Sequence, residues 1–398
     1  MSSLSAVAAR DLPLGKLRAS FPQSWPMDRF GALFTESAER NGSSPKGIAL
    51  SVSEYHGVTP RDDSDGQRAS SDVSAYRVLH PGELAVNYMW LNRGGLGVSD
   101  LLGYISPAYK VYRIDPSVHA RFAHYLLRSR PYVSTFAALG TGVRPNSQMV
   151  DTVELNSLPV PSIPFAAQRA IADYLDRETA EIDAMTADLD KMEVLLTERR
   201  AAYIGGAVRT ISGPSKRVRL QSIARIHAGE TITAADIEDD GLFAVYGGNG
   251  VRGYADRANE EHDRVLVGRQ GALCGNVHLA RGPFFASEHA LVVEPHIDVD
   301  LEWLALVLSD QNLGQLSMSA AQPGITAMGV GLQKIDMPGI DEQRRIAAQI
   351  DRETAEIDAM LADITELRDL LAERRAAVIA AAVTGQIDIP TAEEPTHA

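Results

Sequence analysis

Two sets of polar side chains in this 398-residue chain, most of them in glycine-containing segments, include the residue types that can hydrogen-bond the edges of base pairs. An arginine fork matches the two acceptors of guanine, and the carboxamides of asparagine and glutamine match the donor–acceptor pair of adenine. In the first half, Asn87, Tyr88, Asn92, Arg93, Ser106 and Tyr109 fall in the segment GELAVNYMWLNRGGLGVSDLLGYISPAYKVYRI (82–114), and Arg144 and Asn146 fall in a later glycine-containing loop. In the second half, Tyr246, Asn249 and Arg252 lie in YGGNGVRGY (246–254), Arg269 and Gln270 in VLVGRQGALCGNV (265–277), and Ser287 and His289 in SEHA (287–290). Any one of them is equally a turn residue or a phosphate contact, and Asn-Gly is the preferred dipeptide of a tight hairpin. A minority is expected to touch base edges.

Catalytic signatures are missing. There is no N-P-P-[FY] tetrapeptide, no G-x-x-x-x-G-K-[ST] phosphate loop and no H-E-x-x-H pair. None of the six lysines has Asp or Glu two positions before it, which removes the common nuclease pattern ending in [DE]-x-K. His289 has the chemistry of a base, yet a lone histidine beside a strand is more often structural. The single cysteine, Cys274, excludes an internal disulfide and a multi-cysteine metal site. No metal ligand set is expected.

The elements that must position these residues come from an internal duplication. The string DRETAEIDAM occupies 176–185 and recurs 175 residues later at 351–360; from 168 to 208 and from 343 to 383, 26 of 41 positions are identical. Each copy carries apolar residues at alternating spacings of four and three. The first seam is Ile171, Leu175, Ile182, Met185, Leu189, Met192, Leu196 and Tyr203; Glu178 and Arg199 fill its gaps. The second is Ile346, Ile350, Ile357, Met360, Ile364, Leu367, Leu371 and Val378; Glu353 and Arg374 fill its gaps. Such a heptad seam predicts a coiled coil. Pro164 and Pro338 precede the copies, and Gly205–Gly206 and Gly385 mark the expected ends, so each helix spans about 40 residues, roughly 60 Å. Packing of the two seams on each other, in either direction, competes with a homodimer through the same seams.

A globular stretch precedes each helix. The expected organisation is a domain at 1–163, a helix at 164–212, a second domain at 213–337, a second helix at 338–390 and a disordered tail at 391–398. Both domains read as strand, glycine-rich turn, strand, then a short amphipathic helix (119–140 and 300–324), so the fold class is α+β. The net charge of −14 is uneven: residues 1–163 hold 16 Lys and Arg against 14 Asp and Glu, whereas 338–398 hold 6 against 13. No apolar run approaches the ~20 residues that span a bilayer, and no signal peptide precedes the first domain, so a cytoplasmic protein is expected. Divergent domains on near-identical helices fit one frame reading two targets. A coiled-coil adaptor that binds other proteins is the alternative.

On this order of domain, helix, domain, helix, and on YGGNGVRGY, VLVGRQGALCGNV, AQPGITAMG (321–329) and the P-x-x-x-EQRRIA helix start (338–347), the chain resembles the specificity subunits of type I restriction–modification systems. The first helix start, Pro164 with AAQRAIA, is a degenerate version. The resemblance implies two target-recognition domains, related by a pseudo-two-fold, on an antiparallel coiled-coil spacer. Each reads half of a split double-stranded DNA site in the major groove. It implies docking of two methyltransferase subunits, which carry S-adenosylmethionine, and of restriction subunits that consume ATP with Mg. This chain itself would hold no cofactor, contribute no catalysis and contact no membrane.

Overall fold

The computed structural model describes residues 12–54, 56–61, 72–141, 149–212, 214–317 and 323–390. Arg144, Asn146 and the 391–398 tail lie outside them. The chain separates into two compact units, one of residues 1–188 with 367–398 and one of residues 189–366, so each long helix contributes to both.

In the first unit the strands are β1 (Met27–Arg29), β2 (Phe34–Ser37), β3 (Ile48–Ser53), β4 (Gly57–Pro60), β5 (Arg77–Leu79), β6 (Leu84–Val86), β7 (Leu96–Val98), β8 (Gly103–Ile105), β9 (Lys110–Ile114) and β10 (Pro159–Pro161). Helices α1 (Ala120–Arg128) and α2 (Arg130–Leu139) follow β9, and the long helix α3 (Phe165–Arg209) follows β10. One sheet has the order β2-β9-β6-β7 and is antiparallel throughout; a second has the order β4-β3-β8-β5, with β3 and β8 parallel. All three residues of β6 are buried, as expected of a strand covered on both faces. Phe30 stacks on Phe34 at 4.3 Å and meets Tyr112 edge-on at 5.3 Å. Tyr132 and Phe136 of α2 and Ala172 and Leu175 of α3 close this core.

The second unit contains β11 (Lys216–Arg219), β12 (Ala224–Ala228), β13 (Phe243–Gly247), β14 (Gly250–Ala255), β15 (Arg264–Gly268), β16 (Val277–Ala280), β17 (Phe285–Ala286), β18 (Ala290–Pro295) and β19 (Lys334–Met337), with α4 (Leu301–Asp310) and the long helix α5 (Ile340–Val383). Its sheets are β12-β18-β15-β16 and β14-β13-β17, with β13 and β17 parallel, and β11 pairs with β19 as β1 does with β10. The order repeats the first domain strand for strand, except that β5 has no counterpart among the described strands. Trp303, Leu304 and Leu308 of α4 pack on Val265, Val267, Leu291 and Val293.

A glutamine at the same place in each repeat joins helix to domain. Gln168 accepts from the His119 amide at 2.8 Å and donates to the Ser117 and Ile163 carbonyls at 3.0 and 2.8 Å. Gln343 accepts from the Asp300 amide at 2.9 Å and donates to the Pro338 carbonyl at 2.9 Å. Both are buried, so each ties a short-helix N-terminus to a long-helix start where water cannot.

The helices run antiparallel within each unit. Arg374 and Arg375 of α5 pair with Glu178 (3.5 Å) and Asp183 of α3 in the first; in the second, Arg200 of α3 grips Asp358 of α5 at 2.6 and 3.2 Å, and Gln349 donates to Tyr203 at 3.2 Å. The buried stripe differs from the expected seam by a turn of about one residue. Ile182, Leu196, Ile357 and Ile364 are buried and Leu189 and Met360 partly so, but Met185 (46%), Met192 (50%) and Leu367 (47%) face solvent. The neighbouring positions Thr179, Thr186, Thr354 and Leu361 turn inward instead. A threonine can take such a place because its hydroxyl bonds the carbonyl four residues back: Thr179 to Leu175 at 2.7 Å, Thr186 to Ile182 at 2.9 Å. Leu371 is half-buried. Ile171 and Leu175, like Ile346 and Ile350, belong to domain cores that also take in the last turns of the other long helix (Ala382 and Val383; Ile204 and Val208), so the first turns of each helix serve both the domain and the helix pair.

Helix α3 also runs through Gly205–Gly206 to Arg209. A Cβ on Gly205 would sit 2.4 Å from Asp310 Oδ1, and this space admits the two-pronged Arg209–Asp310 ion pair at 3.0 and 2.8 Å. Gly385, at φ +70°, does follow the end of α5. No helix among the described residues is long and apolar enough to cross a membrane.

Candidate nucleic-acid interface

In the second domain the candidates converge from three loops. The β13–β14 hairpin carries Tyr246, Asn249 and Arg252; the β15–β16 loop carries Arg269 and Gln270; the β17–β18 connection carries Ser287 and His289. Asn276 donates to Asn249 Oδ1 at 2.7 Å, which ties the hairpin tip to the second loop. The backbones meet so closely that a Cβ on Gly268 would lie 2.0 Å from the Gly248 carbonyl. Glycine at both positions is therefore required by packing, not only by the turn.

The second and third loops are stitched in the same way. His289 Nδ1 lies 3.1 Å from Gln270 Oε1, the Arg269 amide donates to the His289 carbonyl at 2.8 Å, and the Arg269 guanidinium donates to the Glu288 carbonyl at 3.2 Å. The Ile325 amide returns to the Arg269 carbonyl at 2.9 Å, bringing the 323–329 loop alongside. Asn249, Arg252 and Gln270 are exposed and Tyr246, Arg269 and His289 half-buried. Ser287 is fully buried, its amide bonded to the Tyr246 carbonyl at 2.9 Å, so it braces the loop from within. The same domain holds a cavity of about 430 Å³ lined by Asp236, Glu238, Asp240, Asp256 and Arg257. Its carboxylates would repel phosphates.

In the first domain the corresponding loops are the β3–β4 hairpin, the 87–95 loop between β6 and β7, and the β8–β9 turn. Asn87 and Tyr88 are buried at the start of the 87–95 loop. The Asn87 side chain accepts from the Met89 amide at 3.2 Å, and the Tyr88 hydroxyl is bonded to that of Tyr112. Burial, reinforced by that bond, raises the Tyr112 pKa well above its ordinary value. Asn92 is half-buried and Arg93 exposed. Ser106 and Tyr109 close the β8–β9 turn. Tyr88, the 107–110 turn and the stems of the 141–149 loop surround a cavity of about 360 Å³, with Lys110 Nζ 4.9 Å from the Tyr88 ring centre and 3.2 Å from Glu36.

Sequence reading passed over three groups here. Glu54 and His56 flank the β3–β4 tip, the counterpart of Asn249. Met89 and Trp90 stand exposed at 40% and 42%. Arg128 of α1 holds the hairpin and the loop together, donating to the carbonyls of Gly94 (2.8 Å), Leu96 (2.6 Å) and Glu54 (2.8 Å). Only the topological match to the second domain brings the hairpin forward. Beside Arg128, burial and the nearby arginines push the His124 imidazole down to about 3. Among the described residues, no group of His, Cys, Asp and Glu could hold a metal ion.

Residues 213–367 match the type I restriction modification DNA specificity domain. The chain is 36% identical over 156 residues to the type I restriction enzyme EcoprrI specificity subunit of Escherichia coli, 38% of each chain. It is 29% identical over 98 residues to the EcoKI specificity subunit of E. coli strain K12, 25% of this chain and 21% of that one. The chain thus aligns with less than half the length of these curated relatives. Its fold is similar to a chain from a solved type I restriction–modification assembly, with TM-score 0.62 and 17% identity over 92% of this chain and 99% of that one. Over its second domain and most of the helix that follows, the chain is similar to the type I restriction modification DNA specificity domain, and over nearly its whole length it shares the fold of that assembly's chain.

Proposed function

We propose that the chain is the DNA-recognition subunit of a type I restriction–modification complex. Each domain reads one half of a bipartite duplex site, and the two long helices set the gap and dock two methyltransferase subunits, to which restriction subunits join. The observation that carries this reading is the specificity-domain match over 213–367 together with the same strand order in the first half. A domain built twice, with loops of different sequence on equivalent edges, is what reading two half-sites requires. The partners bring S-adenosylmethionine, ATP and Mg; this chain contributes specificity and no chemistry.

Among the candidates, the exposed Arg93, Asn249, Arg252 and Gln270 are our first choices for base contacts, ahead of the half-buried Asn92, Tyr246, Arg269 and His289. Asn87, Tyr88 and Ser287 act as braces. The test is co-expression with a type I methyltransferase subunit from the same genome, followed by selection of bound duplexes from a random pool. Two short conserved blocks at a fixed gap are expected. Failure of the methyltransferase to co-purify, with no sequence enriched, would favour the adaptor reading.

A further inference from the structure

We infer that the 87–95 loop carries a wedge, Met89 and Trp90, that presses into a base step of the half-site read by the first domain; this rests on the function proposed above. Both side chains are exposed while the residues on either side, Tyr88 (6%) and Leu91 (0%), are buried anchors. The loop has little freedom to fold them away. The Asn87 amide bonds the Gly95 carbonyl at 2.8 Å, and the Trp90 carbonyl accepts from Gly95 at 2.8 Å and Arg93 at 3.0 Å. A Cβ on Gly95 would stand 2.8 Å from that of Trp90, and Gly94 takes a φ of +74°. The Arg128 guanidinium fixes the base of the loop through the Gly94 and Leu96 carbonyls.

A rigid loop that holds a tryptophan and a methionine in water has a surface to cover. Two side chains are far too small for a protein interface, which takes about 800 Å² per partner. They match a single base step, where an apolar wedge unstacks the bases. Charge favours DNA as well: Arg93 is exposed beside the wedge, and this domain carries 16 basic against 14 acidic residues in a chain of net charge −14. The equivalent β15–β16 loop of the second domain also exposes an aliphatic side chain, Leu273 (50%).

The test uses the complex with its methyltransferase and a duplex carrying the selected site, with 2-aminopurine placed in turn along the first half-site. One step away from the methylated adenine should brighten on binding. Trp90→Ala should abolish that signal and weaken site binding about 5- to 100-fold, the range for one stacked base. Trp90→Phe should restore most of both, and assembly with the methyltransferase should be normal. An unchanged signal and affinity in Trp90→Ala would overturn the wedge while leaving the function standing. Loss of assembly instead would mean that the loop docks protein. No specific binding by the unsubstituted complex would defeat the proposed function itself, and the wedge with it.

Discussion

Arg269 shows what a single residue can test. Its backbone is bonded on both sides and its guanidinium rests on the Glu288 carbonyl, so the head is held at the loop edge. Arg269→Ala should lower site-specific methylation about 10- to 100-fold, the weight of one good base contact, with assembly intact; loss of assembly would make it structural. His124 gives a pH prediction. Its folded pKa of about 3 lies below the ordinary 6.5, so the neutral ring is favoured by folding. That contribution is complete above about pH 6.5 and is lost as the pH falls toward 3, by about 2 kcal/mol between pH 7 and pH 5. Thermal unfolding of His124→Gln should show a weaker pH dependence across that window; an equal dependence would refute the burial argument. The candidate residues were legible by type. Their depth was not: nothing in the string of letters sets Asn87 and Ser287 apart from the other candidates, and only the packed loops show them buried.

At the scale of elements, the duplication and its helices were plain in sequence, because identity at 26 of 41 positions needs no folding to be seen. The face of each helix was not. Apolar residues at two adjacent phases competed, and hydrophobicity alone placed Met185 and Met192 inward. The buried phase instead uses threonines that satisfy their own hydroxyls, and Arg200 and Arg375, which reach acids on the other helix. Lysine substitutions separate the two phases. Ile182→Lys should destabilise by about 3 kcal/mol or more, whereas Met185→Lys, one turn away, should stay within about 0.5 kcal/mol. Equal effects in urea unfolding would restore the expected seam. One heptad added to each helix should lengthen the unread gap of the recognised site by about 10 Å, close to three base pairs.

For the whole molecule, charge is the informative quantity. A net −14 is unusual for a DNA reader, and the excess acid lies mainly in the helices and the second domain. On the proposed function, phosphate neutralisation comes largely from partners, so the chain alone should bind its site weakly at physiological salt and tightly only with the methyltransferase. Tight binding by the isolated chain would contradict this. The most direct measurement is a genome-wide map of methylated adenines, by single-molecule sequencing, in cells with and without this chain and with a type I methyltransferase subunit from the same genome present in both. The expected result is a split motif of two short blocks that vanishes with the chain, one block changing when the 213–337 domain is exchanged for another. A methylation pattern indifferent to the chain, with both proteins expressed and soluble, would contradict the reading of this protein as a DNA-specificity subunit.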